Sequence, residues 1–335
     1  MDNNYKVLGV CGGNGVLLYP FKDNLIGNIE PRSIFKTPDY IQWKLNFPNI
    51  DFAWKLSQFS ELYKKPDIII GAPDCGHSSI LAYSRAKKMS NPKKNESLNI
   101  FFESIKKYKP KIWLMENLPP LLDTITEEDF KTNFPDYKFI FMICPVSEFG
   151  NSQIHRKRLL VIGIKKDSGI PKKYFQFPFK IHELKTCGEL LKGLHYHEDE
   201  GICHVRENLS DIITLYAGFK INLSDCREEW LRRGTKRWKV EGRNFENAPG
   251  VYLNPKDDFP ATARKQNRQF NHKGYMMSPR ELGRIQGVPD EFKLWYDGNK
   301  KRYCINKARV SVTKCPPFEI GTWFRKCISN CINGT

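Results

Sequence analysis

The sequence predicts an α/β fold, a doubly wound sheet joined to a second, smaller domain. Three observations carry that expectation. The run Asp67-Ile68-Ile69-Ile70 follows Lys65-Pro66 and is apolar in the way of parallel strands covered on both faces. Gly71 and Pro73 then stop it, so Cys75 falls just beyond its carboxyl end, the edge at which open α/β sheets bind ligands. A second apolar run, Lys111-Ile112-Trp113-Leu114-Met115, ends the same way in the polar pair Glu116-Asn117. Two such placements on one edge point to a site, where one alone would be read as a helix cap. With 335 residues the chain can bury a large core and still form a smaller domain.

Composition narrows the partners. Lys+Arg outnumber Asp+Glu by 54 to 37, a formal charge of +17, which suits nucleic acid first and an anionic membrane surface second. A Lys-rich, merely solvated surface gives the same number, so charge alone does not choose. No apolar run reaches 18 residues, which argues against a transmembrane helix, and Met1 to Lys6 lacks a signal-peptide pattern. Ten cysteines without framework spacing indicate reduced thiols and a cytoplasmic setting, or host cytoplasm if the chain is viral.

Taken in order, Lys6 to Cys11 reads as the first strand. Gly12-Gly13-Asn14-Gly15 follows, and Val16-Leu17-Leu18 reads as a helix start. A glycine turn between strand and helix lets backbone approach a ligand closely. Leu25 to Ile29 is a second strand ending at Glu30, where dinucleotide-type folds grip a ribose by its hydroxyls. Asp51 and Phe52 are expected at the end of a third element, on the adenine side. No phosphate loop with its Lys and Ser/Thr is present, so an adenosine compound without triphosphate is the better ligand. Cys75, taken alone, is equally a nucleophile or a buried apolar residue. The basic stretch from Arg85 to Lys94, with Lys87 and Lys88, reads as a loop suited to phosphate. Leu98 to Tyr108 carries apolar residues at helical spacing, and Lys138 to Cys144 and Leu159 to Ile164 read as strands. Between those strands lies Gln153-Ile154-His155-Arg156-Lys157-Arg158, suited to an anion or a base edge.

These segments, in this order, resemble the cytosine-5 DNA methyltransferase family. GAPDCGHSS (Gly71 to Ser79) looks like its Pro-Cys-Gln motif, MENL (Met115 to Leu118) like its Glu-Asn-Val motif, and QIHRKR like its Gln-x-Arg-x-Arg motif. SPRELGRIQGVPDEF (Ser278 to Phe292) is similar to the late structural motif, and TKCPP (Thr313 to Pro317) stands in place of the final one. The resemblance implies a Rossmann-like methyltransferase sheet with a smaller target-recognition domain. It also implies S-adenosyl-L-methionine as donor, DNA as partner, no membrane and a monomer. Cys75 would attack carbon 6 of a flipped cytosine, Glu116 would hold its N3 and amine, and Arg156 and Arg158 would clamp its O2. Cys11, Gly13, Asn14 and Gly15 would line the donor with Glu30, Pro31, Asp51 and Phe52. Asp74, Leu98, Thr313 and Lys314 would complete that pocket, and Ser79 would touch backbone phosphate.

The chain departs from the family at several places. Asp74 stands where the family has Pro, Gly76 where it has Gln, and Cys11 where it has Phe. Gln153 lies one residue too far from Arg156 for a clean match. Thr313 or Lys314 takes the final Asn position, depending on a one-residue gap. A lysine there would face the donor's sulfonium, which motivates an alternative, carboxymethyl transfer from a carboxylated S-adenosylmethionine. A catalytically impaired nucleic-acid-binding relative and an RNA cytosine-5 methyltransferase are the other open readings. The expected domains are 1–167 for catalysis and cofactor, 168–265 for target recognition, and 266–335 for late motifs returning to the first. The middle region carries Arg232, Arg233 and Arg237 among tryptophans and ends near Arg264, a composition suited to DNA. His195, His197, Cys203 and His204 match no zinc-finger spacing, so no metal is expected. Phe318 to Ile332 has helical spacing and is expected to pack near the first strand.

Overall fold

The computed structural model describes residues 5–31, 38–53, 65–74, 95–176, 183–194, 251–254, 256–260, 262–263, 268–270, 277–294 and 302–333. The chain divides into two compact units. The first comprises 1–150, 156–182 and 315–335, and the second 151–155 and 183–314. These limits differ from the expected ones: the late motif at 278–292 belongs to the second unit, and the chain returns to the first only at Cys315.

The first unit is built on a seven-stranded sheet of order β3-β2-β1-β4-β5-β7-β6. β1 (Val7–Val10) lies between β2 (Leu25–Ile29) and β4 (Ile68–Gly71), all parallel. β3 (Asp51–Ala53) extends the sheet beyond β2, and β5 (Ile112–Asn117) beyond β4. β7 (Lys157–Lys165) runs antiparallel to both β5 and the edge strand β6 (Tyr137–Pro145). Every residue of β1, β4 and β5 is buried, which is why these strands read as unbroken apolar runs. Strand order reverses at β1 and β4, so their carboxyl ends flank the crevice where such sheets hold ligands.

Helices cover the sheet. α1 is Pro38–Asn46 and α2 is Glu96–Tyr108. Asn95 caps α2 by accepting from the N–H groups of Ser97 and Leu98, and left-handed Lys109 closes it. α3 (Glu127–Asn133) opens with a reciprocal Thr126–Asp129 capping box. Trp113 of β5 packs against Phe101 from α2, Phe130 from α3, Phe134, and Phe139 from β6. Opposite Trp113 on β7 stands Gly163, where a β-carbon would lie 2.1 Å from the indole.

One expected helix is absent. Val16, Leu17 and Leu18 are buried in turns that run into a short 3-10 segment, Tyr19–Phe21. Gly13 and Gly15 take positive φ, and Pro20 has no N–H to give an α-helix. The C-terminal helix covers this segment instead, close to the expected position: Arg325 donates to the Pro20 carbonyl, and Phe324 packs on Phe21. A β-carbon at Gly321 would come within 2.4 Å of the Leu17 carbonyl oxygen.

In the second unit, α4 (Cys187–Leu190) and α5 (Pro279–Ile285) are short helices. The late motif reads out as their mechanics: Ser278 and Glu281 form a capping box with Pro279 at the first turn. Arg280 then donates to the carbonyls of Pro289 and Phe292, closing the motif on itself. α6 spans Arg302–Lys314, and α7, the C-terminal helix of the first unit, spans Phe318–Asn333. β8 (Val251–Leu253) and β9 (Arg268–Phe270) pair in parallel.

Candidate active site

The polar edge begins with a glycine that geometry requires. A β-carbon at Gly71, the last residue of β4, would lie 2.1 Å from the Val10 carbonyl oxygen. Past Gly71 the chain is held by two asparagines. Asn117 Nδ2 donates to the Pro73 carbonyl at 3.1 Å, and Asn95 Nδ2 to the Asp74 carbonyl at 2.8 Å. Pro73 and Asp74, which lead to Cys75, are therefore tied to the end of β5 and to the cap of α2. Cys75, Ser79, Arg85, Lys87 and Lys88 lie outside the described residues, as do Arg232, Arg233, Arg237 and Arg264 and the histidines near 195–204.

Glu116 and Asn117 are the last residues of β5, not the first beyond it. Glu116 is 6% exposed, and its Oε1 lies 2.6 Å from Arg158 Nε. Arg158 reaches it because β7 runs antiparallel beside β5, with Leu160 opposite Glu116. Neighbouring strands thus bring together two residues 42 positions apart. Arg156 behaves differently from its expected role at the base edge. It is 1% exposed, and its Nη2 donates to the Cys315 carbonyl at 2.8 Å. Burial pushes its guanidinium down to about 9, Arg158 adds to the shift, and Cys315, Glu116 and Glu319 oppose it.

The glycine turn after β1 is packed on one side and open on the other. Gly12 N–H donates to Asn28 Oδ1 and Gly13 N–H to Glu30 Oε2, each at 3.1 Å. A β-carbon at Gly12 would strike Leu18 and Asn28, and one at Gly15 would strike Phe47. At Gly13, φ +56°, a β-carbon would meet nothing within 4 Å. Cys11 also takes a left-handed conformation, φ +58°, and its thiol reaches the Ser97 carbonyl at 3.3 Å. Asn14 is buried, with its Oδ1 accepting from Val16 N–H, and Leu98 is buried in the first turn of α2. Glu30 and Pro31 are half-buried at the exit of β2.

Asp51 and Phe52 lie at the start of β3, and only the place of Asp51 differs from the expected one. Asp51 opens β3 opposite Gly27 and is exposed, so it does not end that strand. Phe52 is covered by α1, with its ring 5.2 Å from Tyr40 and 5.5 Å from Trp43. In the second unit, Thr313 is buried and donates to the Val310 carbonyl of its own helix, while Lys314 is exposed at the helix end. No observation therefore favours the carboxylated donor. Gln153 is fully buried: it donates to the Ile285 carbonyl and Gln286 Oε1, and accepts from Ala263 N–H. Sequence reading passed over the holding roles of Asn28, Asn95, Asn117 and Gln153. Asn28 left a legible signal, a lone amide in an otherwise apolar strand. Among the described residues no group of three His, Cys, Asp or Glu could hold a metal, and no helix is long and apolar enough to cross a membrane.

A parallel sheet with one reversed strand, an open glycine turn at its switch point and a carboxylate–arginine pair two strands away define a Rossmann-like methyltransferase fold. The chain belongs to the C-5 cytosine-specific DNA methylase family, whose model matches residues 39–312. Type II methyltransferase M.FnuDI of Fusobacterium nucleatum is 25% identical over 274 residues, covering 73% of this chain and 72% of that one. The fold is shared with a protein described as a DNA modification methyltransferase encoded within a prophage of E. coli. That similarity has a TM-score of 0.66 at 16% identity and covers 98% of this chain and 99% of that one. Entamoeba histolytica EhMeth (TM-score 0.64, 13% identity) and S. pombe Dnmt2 (0.61, 12%) match over the same shares of both chains.

Proposed function

We propose that this protein is a DNA cytosine-5 methyltransferase that works through a covalent Cys75 adduct. The observation that carries the reading is the Glu116–Arg158 pair on the edge where Asn117 also anchors the loop leading to Cys75. The Cys75 thiolate adds to carbon 6 of an extruded cytosine, and Glu116, which first takes up a proton from solvent as the base parts it from Arg158, delivers that proton to N3, leaving carbon 5 electron-rich. Once carbon 5 is substituted, Glu116 takes back the N3 proton, water takes the proton of carbon 5, and the thiolate leaves as the 5,6 double bond re-forms. In the free protein Arg158 already occupies Glu116, so the base must share or open that pair. Arg158, freed in part, then donates to the base oxygen in this reading.

The residues present fit S-adenosylmethionine. Glu30, fixed by Gly13 N–H, suits a ribose diol, and the space at Gly13 admits a ligand against the backbone. When bound, that compound supplies a sulfonium-activated methyl group. The test incubates protein, DNA and labelled S-adenosylmethionine, with a Cys75→Ala control and RNA of the same sequence. Label in DNA alone, lost in the variant, is expected. Label retained by Cys75→Ala would overturn the covalent mechanism, label only in RNA would overturn the substrate, and binding without transfer would indicate an impaired relative.

A further inference from the structure

Arg156 leaves the base-edge role empty, and what it holds instead is informative. The chain leaves the sheet-bearing unit and comes back to it twice, at Arg156 and at Cys315. These two return points are bonded to each other through Arg156 Nη2 and the Cys315 carbonyl, 159 residues apart and fully inside the first unit. The Cys315 thiol is hydrogen-bonded in turn to the side chain of Asn14, and Asn14 Oδ1 holds Val16 N–H at the end of the glycine turn. One buried chain of bonds therefore runs from the start of β7 through the C-terminal segment to the turn that opens at Gly13.

We infer that Arg156 is a positioning residue for the donor site, acting through Cys315 and Asn14 on the glycine turn, and not a ligand of the target base. The inference rests on the reading of that turn as the S-adenosyl site. Four features support it. Arg156 is 1% exposed, so it has no face to offer a base, whereas Arg158, two residues on and at the same strand end, is the one paired with Glu116. A buried guanidinium is retained only where its bonds compensate the desolvation, and a carbonyl at 2.8 Å does so in part. Cys315 is itself buried with its thiol pushed up to about 12, chiefly by desolvation, so it serves as a neutral packing and bonding group. Asn14 makes the link specific, because an amide that bonds both the thiol and Val16 N–H fixes the exit of the turn.

The test measures S-adenosylhomocysteine binding to the DNA-free protein by titration calorimetry, with DNA affinity and thermal midpoint recorded in parallel. Arg156→Lys should weaken the ligand about tenfold, the scale of one charge-assisted hydrogen bond, while DNA affinity stays within about twofold. Cys315→Ala, which keeps the carbonyl and removes the thiol, should do the same even if Arg156→Lys folds poorly. Because the two act along one chain of bonds, the double variant should be no weaker than about threefold beyond either single. Wild-type protein that binds while both variants bind equally well would overturn the inference alone. So would losses that multiply to about a hundredfold, the mark of independent effects. A parallel fall in DNA affinity would assign Arg156 a general structural role and would also overturn it. Wild-type protein that binds no S-adenosyl ligand would sink the functional reading and this inference with it.

Discussion

At the scale of the residue, the Glu116–Arg158 pair decides most. Its side chains are 8% and 15% exposed, so neither charge is well solvated without the other. Removing one partner of such a pair leaves a buried charge uncompensated, which typically costs about 3–5 kcal/mol. Arg158→Ala is therefore expected to lower the thermal midpoint as well as turnover, and an unchanged melting curve would mean that water already screens the pair. Glu116→Gln keeps the shape and an acceptor for Arg158 but cannot supply a proton, so turnover should fall at least about a hundredfold, well beyond what the accompanying loss of thermal midpoint accounts for. A milder loss, measured under saturating DNA, would assign Glu116 a structural part only. Thiol chemistry offers a second residue-level check. Cys144, Cys187, Cys315 and Cys327 are all pushed up to about 12, mainly by desolvation. At pH 8 they remain thiols, and iodoacetamide should modify them far more slowly in the folded protein than after denaturation.

At the scale of the element, the contact between β5 and β7 sets the site. Gly163 faces Trp113 across the two strands, and the indole fills the place of its side chain. Gly163→Ala must push Trp113 out of the aromatic cluster with Phe130 and Phe134, an overpacking expected to cost about 1–3 kcal/mol. Because Arg158 and Glu116 ride on the same two strands, turnover should fall alongside denaturant resistance. Loss of activity with an unchanged unfolding midpoint would contradict this. The end of α5 makes a pH-dependent contribution. Arg284 donates twice to Asp290, at 3.0 and 2.7 Å, and holds its carboxyl below the ordinary 3.8. A depressed carboxyl contributes stability that is fully present above 3.8 and is lost as pH falls through the lower folded value. Asp290→Asn should remove that acid-side dependence.

At the scale of the whole molecule, the charge of +17 makes salt the informative variable. With roughly six phosphate contacts, log affinity for DNA should fall against log salt with a slope near −5. A slope near zero would mean that the basic residues only solvate the surface. Arg85, Lys87, Lys88, Arg232, Arg233 and Arg237 are proposed for these contacts from sequence, and neutralising any one should reduce the slope by about one.

The sequence by itself determined the class of fold, because fully buried parallel strands such as Ile68-Ile69-Ile70 and Ile112–Met115 have no other way to satisfy both faces. It also brought Glu116 and Asn117 to the carboxyl end of one such strand and the segment leading to Cys75 to the end of another. Local chemistry was equally legible in Ser278-Pro279-Arg280-Glu281, whose capping box needs only near neighbours. The tertiary structure alone decided which arginine meets Glu116. Arg156 and Arg158 sit in the same basic motif, and only the antiparallel register of β7 against β5 sends one to the carboxylate and the other to the Cys315 carbonyl. It likewise decided that Val16 to Leu18 form turns beneath α7, and that Asp51 opens its strand. Local spacing fixes what short-range bonds can satisfy. Partners 42 and 159 positions apart are chosen by strand register and chain crossing, which no local pattern encodes.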